Sequence, residues 1–592
     1  MDSSSEVRSK KVWPLKEIRE LVEQGHAIVI SEGYVLKLDA WLNRHPGGAK
    51  VILHVVGRDA TVELDAFHSK EVKAQMARYR IGKLEEPWAN VIPPIQRQSL
   101  RIPENEAEKE PSTPITEIPL VDVTVTENLL AVPRQANPDS DASSTASSIF
   151  DEEGLRLRNR TEGSSVDSEE IPDLETKIMD ATELETRFQA LIARLENEGL
   201  YDSKLSAYVT EILRCTILFS LSMVFLRMEW YATSAAFLGM FWHQIVATAH
   251  DAGHLAVTHD YNIDFLIGGV VLNFCGGLSI GWWKRNHNIH HIVTNSPTHD
   301  QDLQILPFIA ISPVFFDSLY STASECIMHY NWFAKFMVPK QAWTYYFLLS
   351  VARFNLYYLA WDFILRDLGT KLHRKQRIFE LVGQIFFWTW FGYFLVYRSI
   401  PTVSQRIIFC LICHMITLPL HLQLTVSHFS MSTEESEPSE HWIQRMFRTT
   451  MDVDCPTWMD WFHGGLQFQV THHLFPRMPR HNLRKASGYV KEFCAETGLK
   501  YEVYGFGESN GRMLDRLVEV ARQARYLKDC QDSIVSKGSI CMGIGIEVVS
   551  VCLCGCELGI ALHCILWMLL HGMFDAKIRS VHMYILGVGR LS

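Results

Sequence analysis

The sequence has no run of basic residues and no basic patch interleaved with aromatics, and its formal net charge at pH 7 is −11. Nucleic acid is therefore excluded as the expected partner. The first residues, MDSSSEVRSKKVWPLKE, hold no apolar core of signal-peptide length. The first domain is expected to stay in the cytosol, with membrane insertion beginning later in the chain. Apolar residues are sparse between about 104 and 170, where Ser, Thr, Pro, Asp and Glu dominate. Such a stretch cannot bury enough surface to offset its ordering entropy and reads as a linker. The metalloprotease pattern HExxH is missing too: Asp251 follows His250, and no Glu stands ready as a base. The thirteen cysteines are scattered and several lie inside apolar runs, which fits thiols on a reducing cytosolic face better than a disulfide framework.

What is present is unevenly distributed. A chain of 592 residues exceeds one compact core. Residues near Trp13 to Leu84 read as a small mixed domain, with short strands at Ala27 to Ile30 and Tyr34 to Leu38. Apolar segments follow at Cys215–Leu226, Tyr231–Thr248, Phe265–Trp283, Trp343–Leu365, Phe379–Tyr397 and Ile407–Val426. The segment from Trp343 carries Arg353, Asp362 and Arg366, charges that are costly at bilayer depth, so it is expected at the interface. A cytosolic basic loop from Arg366 to Arg377 would send Phe379–Tyr397 out and bring Ile407–Val426 back. With the hairpin from Cys215 to Thr248, that makes four spans, leaves Phe265–Trp283 re-entrant or interfacial, and puts the histidine-rich loops on the cytosolic side.

Histidines carry the chemistry. In RHPGGAK, His45 stands beside Pro46 and two glycines, which fix the backbone and let a flat cofactor approach without an intervening Cβ. His68 follows in DAFHS. Two neutral imidazoles on opposing walls supply both axial ligands of a haem iron and leave no open position, which favours electron transfer. The segments HPGGAKVILHVVGRDAT, FHS and YRIGKL, in that order, resemble cytochrome b5. The resemblance implies haem b held by His45 and His68, with His54 structural.

Three further clusters are HDAGH (His250, His254), HNIHH (His287, His290, His291) and QVTHH (Gln469, His472, His473). Spacings of three and four place such side chains on one helix face. Seven imidazoles are too many for one zinc, which takes four ligands, or three plus water. Imidazole suits iron among other metals; a fused electron-carrying domain favours iron-based oxygen chemistry over zinc hydrolysis. His414, His421 and His428 recur every seven residues along the last apolar segment. His428, nearest the cytosolic end, is the best additional ligand, and packing or hydrogen bonding is expected of the other two.

The boxes HxxxH and HxxHH, a third box beginning with Gln and a preceding cytochrome b5 segment resemble the front-end fatty-acid desaturases. Within that family HDAGHLAVTH, GWWKRNHNIHHIVTNSPTHDQDLQ, LTVSHFSM and FHGGLQFQVTHHLFPRMPRHN look like the fungal delta-8 sphingolipid desaturases. The resemblance implies two non-haem irons on His250, His254, His287, His290, His291, His472 and His473, with His428 carried over less firmly and Gln469 needed at the head of the third box. It implies a trans double bond between carbons 8 and 9 of the long-chain base of a ceramide, O2 as oxidant, NADH-cytochrome b5 reductase as electron source, and an endoplasmic-reticulum membrane location with the haem domain and histidine boxes in the cytosol.

The expected fold is therefore multidomain: a small α+β cytochrome b5-like domain (10–86), a disordered acidic and Ser-rich linker (87–172), an all-α membrane domain with about four transmembrane helices (173–530) and an atypical hydrophobic tail (531–592). The alternatives are a delta-6 or delta-5 acyl-lipid desaturase, a lipid hydroxylase, or a membrane haem protein that only relays electrons. The sequon at Asn159 lies in the expected cytosolic linker and is expected to be unused, and the tail with its Cys552, Cys554, Cys556 cluster is expected to have no role in catalysis.

Overall fold

The computed structural model describes residues 11–97, 180–368 and 373–536, with side chains described to 533. The sequon, the tail cysteines, and the linker and tail beyond these bounds lie outside the described residues.

The N-terminal domain is built on a four-stranded sheet. Tyr34–Lys37 pairs antiparallel with both Ile28–Ser31 and Arg80–Leu84, and Val12–Trp13 joins the far edge in parallel. Ile28–Ser31 is buried along its whole length rather than on alternate residues. Ile28 and Ile30 pack with Ile18 and Val22 of the helix Leu15–Glu23, whereas Val29 faces Ile52, Val55 and Ala60 together with Ile289, Ile292 and Val293 of the larger domain. Both faces are covered because the second is an interface, and the unbroken apolar run Ile28, Val29, Ile30 is what such a position requires. The domain also runs past the expected boundary at 86: the Trp88 indole donates to the Gly57 carbonyl at 2.9 Å, and Arg97 pairs with Glu23 at 2.7 Å.

The rest is helical. Ala181–Asn197, capped by Asp180, buries Leu184, Phe188, Leu191 and Leu195 at helical spacing against the C-terminal helices. Leu205–Arg227 and Tyr231–Gly253 form a hairpin in which Ser222 and Ser234 each donate to the other's carbonyl, at 2.9 and 2.8 Å. This exchange satisfies two hydroxyls in an apolar contact.

Among the described residues, three helices are long and apolar enough to cross a membrane: Leu205–Arg227, Arg374–Arg398 and Val403–Phe429. The pair Tyr261–Cys275 and Ile280–Ile292, bent by 117°, makes a fourth if counted as one broken span. Outward-facing Ile212, Ile217, Val224, Ile385, Phe386, Phe394, Ile408 and Leu411 form a surface suited to lipid rather than water. Tyr231–Gly253 is less apolar, since it carries His243, Gln244, His250 and Asp251, but it returns along Leu205–Arg227 as the expected first hairpin, and the bent pair falls on the segment Phe265–Trp283 that was expected to be re-entrant or interfacial.

Gln341–Asp367 is not among the candidate spans, as its charges suggested, and Arg353 is satisfied inside the protein. It is buried, and its guanidinium donates to the Gly276 carbonyl at 2.7 Å and to the Tyr357 hydroxyl at 3.0 Å. It thereby satisfies the backbone where the chain reverses at Gly277, whose φ of +71° favours glycine. Cys410 and Cys413 have CxxC spacing, which the picture of scattered cysteines passes over. Both are buried in the helix Val403–Met415, and the Cys413 thiol donates to the Cys410 carbonyl at 3.3 Å.

Candidate functional site

In the N-terminal domain, His45 ends the short turn Leu42–Arg44 and His68 ends the helix Thr61–Phe67. Their ring centres lie 6.1 Å apart. Each ring uses Nδ1 to donate to a backbone carbonyl, Gly48 at 3.3 Å and Leu64 at 3.2 Å, which fixes the tautomer and leaves both Nε2 lone pairs free. Burial lowers both ring pKa values, to about 4 for His45 and about 3 for His68, so both are neutral at physiological pH. Two iron–imidazole bonds of about 2 Å, plus the offset from each Nε2 to its ring centre, add to roughly 6 Å. The slot therefore fits a bis-histidine haem. Gly48 has φ +91°, and a Cβ on Gly47 would stand 3.1 Å from the His45 ring, so the HPGG glycines are required by backbone and by space.

The three boxes converge below. His250 and His254 come from the end of Tyr231–Gly253, His287, His290 and His291 from Ile280–Ile292, and His472 and His473 from Gln469–Leu474. Ligand atoms of His250, His254, His287 and His472 lie within 4.8 Å of one another, as do those of His290, His428 and His473. His291 stands between the groups. Its Nε2 lies 3.1 Å from His287 Nε2 and 3.1 Å from His472 Nε2, and its ring stacks on His473 at 4.2 Å. One N–H cannot serve both short contacts between neutral imidazoles. His254 Nε2, His291 Nδ1 and His473 Nε2 are also buried without a hydrogen-bond partner among the described residues. Converging lone pairs and orphaned ring nitrogens are the chemistry of a metal donor set, and the two groupings suit two ions.

The three histidines of the seventh-residue stripe meet different surroundings. His428 Nδ1 donates to the Thr449 carbonyl at 3.3 Å and its ring faces His290 and His473. His414 bonds the Cys410 carbonyl and the Tyr357 hydroxyl, and His421 donates to the Leu349 carbonyl. Gln469 is buried in the first turn of the third-box helix, one turn before His472 and His473.

Sequence reasoning missed the groups that orient these ligands. Asp300, fully buried, accepts from His290 Nδ1 at 2.8 Å, and Asp302 stands 4.0 Å from His287 Nδ1. Their signal was the HDQD string that begins at His299, eight residues after the last histidine of HNIHH. Trp283 packs on His250, His254 and His287, and a Cβ on Gly253 would meet it at 2.0 Å, which explains the glycine of HDAGH. Asp251 accepts from the Tyr208 hydroxyl at 2.7 Å and pairs with Arg480. It ties the first box to the helix Arg480–Thr497 instead of serving as a base. The Val470 amide donates to Asp452 at 2.7 Å, which anchors the third box.

Arg480 also bonds Glu211 and Thr248. These two residues close the polar end of a cavity of about 740 Å³, otherwise lined by side chains such as Cys215, Phe219, Phe241, Ile245 and Trp390. The cavity is open and mostly apolar, the character expected of a site for a hydrocarbon chain.

A paired-histidine slot on a helical membrane domain with an eight-histidine cluster defines a class: membrane desaturases fused to a cytochrome b5-like electron carrier. Residues 229–505 match the family Fatty acid desaturase, and residues 14–85 match Cytochrome b5-like Heme/Steroid binding domain. The chain is 44% identical over 530 residues to a Delta 8-(E)-sphingolipid desaturase of Emericella nidulans, which covers 87% of this chain and 96% of that one. A protein of the same description from Komagataella phaffii is 41% identical over 526 residues, with 88% and 95% covered. An Acyl-lipid (9-3)-desaturase of Borago officinalis is 37% identical over 349 residues, covering 58% and 77%. The chain belongs to the fatty acid desaturase family, in the branch with an N-terminal cytochrome b5 domain. It is a membrane protein and an oxygen-dependent desaturase.

Proposed function

We propose that this protein is a delta-8 sphingolipid desaturase that places a trans double bond between carbons 8 and 9 of the long-chain base of a ceramide. The observation that carries the reading is the buried convergence of eight histidines beside an open apolar cavity. Similarity to sphingolipid desaturases over nearly the whole chain supports the substrate. His250, His254, His287, His291 and His472 hold one iron side of the cluster, and His290, His428 and His473 hold the other. Iron bound there supplies the oxygen chemistry. Reducing O2 to two waters takes four electrons, two from the substrate's C–H bonds and two from outside.

The protein's share is orientation. Asp300 holds His290 with Nε2 toward the centre, Gln469 supports the third box, and the cavity keeps one chain of the lipid dry and at fixed depth. His45 and His68 would hold haem b, for which NADH-cytochrome b5 reductase would be the electron source. The haem domain, from about residue 10 to Arg97, the linker that follows it and the histidine boxes lie on the cytosolic side of the endoplasmic-reticulum membrane; the catalytic domain spans 173–530, and the segment 531–592 takes no part. Expression in a yeast lacking delta-8 unsaturation, followed by long-chain-base analysis, tests the substrate. A new 8-trans long-chain base is expected. Product confined to glycerolipid acyl chains, or a hydroxylated product, overturns the assignment.

A further inference from the structure

The haem slot sits against the larger domain. Helix Ile280–Ile292, which carries the second box, also forms the floor beneath the small domain, where Ile289, Ile292 and Val293 pack with Val29, Ile52 and Val55. A Cβ on Gly47 would stand 3.0 Å from the Asn288 amide nitrogen, and one on Gly48 3.6 Å from Arg285 Cγ. The HPGG turn is thus a seat for that helix as well as for a cofactor. Phe67, bonded to His68, has its ring centre 5.9 Å from that of His291 and 6.4 Å from that of Trp442. One side chain therefore links the haem slot to the histidine cluster.

A second contact fixes this pose. Lys50 is buried, its ammonium donates to the Thr322 and Ala323 carbonyls at 2.8 and 2.5 Å, and Glu325 lies 2.8 Å away. Thr322, Ala323 and Glu325 belong to the tight loop between the strands Leu319–Ser321 and Cys326–Met328. An ammonium leaves water at tolerable cost only where its donors find acceptors, so a socket offering two carbonyls and a carboxylate is specific for a lysine. The loop is itself tied to the metal site. The Thr322 amide donates to the Thr298 carbonyl at 3.2 Å and its hydroxyl bonds His299 Nδ1 at 3.0 Å, next to Asp300. At the other edge, Arg58 donates to the Glu440 carbonyl at 3.3 Å, and Lys70 pairs with Glu196 at 2.6 Å.

Resting on the desaturase reading above, we propose that Lys50 latches the haem domain to the 319–328 hairpin in one fixed pose, and that Phe67 is the contact across which electrons leave the haem toward His291. Each passage moves one electron. Ferrous haem is oxidised to ferric, one ferric ion of the histidine cluster is reduced to ferrous, no bond forms or breaks, and an NADH-fed flavin reductase restores the haem. Phe67 and Lys50 are positioning residues, since neither touches substrate.

The test uses the full-length protein in lipid nanodiscs, with the haem and iron it is purified with. Zero-length carbodiimide coupling followed by peptide mass spectrometry is expected to join Lys50 to Glu325 in the wild-type chain and in Phe67→Ala, and not in Lys50→Gln. In stopped flow, reduced haem is mixed with oxygen and ceramide. Its reoxidation is expected to slow roughly ten-fold or more in Lys50→Gln, Glu325→Lys and Phe67→Ala, the scale set by losing a charge-assisted contact. The haem spectrum, midpoint potential and iron content are expected to stay at wild-type values, and Phe67→Trp to recover most of the rate. Glu325 lies outside the haem domain, so its variant cannot act by unfolding that domain. Absence of Lys50–Glu325 coupling in the wild-type chain, or reoxidation within about two-fold of wild type in both latch variants, overturns the docked pose. Normal reoxidation in Phe67→Ala overturns the route. A failure of the substrate reading shows instead in product analysis and leaves coupling unchanged.

Discussion

Asp300→Asn isolates the contribution of one buried carboxylate to one of the two metal positions. Asp300 is fully buried, its Oδ2 accepts from His290 Nδ1 at 2.8 Å and from the Asn295 amide at 2.9 Å, and its Oδ1 accepts from the Asp302 amide at 3.0 Å. Asparagine keeps one acceptor oxygen and turns an NH2 toward the remaining donors. If the oxygen serves the backbone, the NH2 faces His290 Nδ1 and favours the tautomer with its proton on Nε2, the atom that must bind metal. Loss of such an orienting partner costs about 10–100-fold in metal affinity, or about 1.4–2.7 kcal/mol. His290 belongs to the group with His428 and His473, not to the group with His250, His254, His287 and His472. Chelator titration of the purified variant, with iron per chain measured at each step, is therefore expected to release one non-haem iron at 10–100-fold lower chelator activity while the other holds and the haem spectrum is unchanged. Release of both irons at the wild-type midpoint would refute the assignment of Asp300 to that half of the site.

His45→Ala is expected to abolish haem absorbance and most desaturation while keeping two non-haem irons, and His472→Ala to lose non-haem iron and keep the haem spectrum; metal analysis beside optical spectra checks both, and a joint loss in either variant contradicts separable sites. Gln469→Ala is expected to cut turnover more than membrane expression, and full turnover in that variant excludes a role for Gln469. Glu63, buried in the haem domain, has its pKa raised to about 7 by burial. Between about pH 4.5 and 7 the unfolded chain ionises Glu63 while the folded domain keeps the proton. Stability is thus lost as pH rises through that window, by roughly 3 kcal/mol above it. Glu63→Gln is expected to raise the thermal midpoint of haem release at pH 8 and to leave it unchanged near pH 4.5; an equal shift at both pH values refutes the titration.

The sequence by itself determined the parts whose chemistry is local. HPGG needs its glycines for a backbone turn and close approach, so His45 was legible, and His68 followed from its spacing and neighbours. The boxes were legible because three- and four-residue spacing puts imidazoles on one face before any tertiary contact forms. The seven-residue recurrence put His414, His421 and His428 on one stripe, and it was nearness to the expected cytosolic end that singled out His428. What only the tertiary structure decided were the partners across the chain. Asp300 reaches His290 through a loop whose path no periodicity encodes. Arg353 looked like an interfacial charge until its guanidinium was found on the carbonyl of Gly276, 77 residues away in sequence. Tyr231–Gly253 reads as apolar, yet it bears the first box and packs inward. The seat of the haem domain was the least legible feature, because an apolar strand and a lone lysine look alike whether they face their own core or another domain. Side-chain spacing is written in the chain, whereas the surface a side chain meets depends on how distant segments pack.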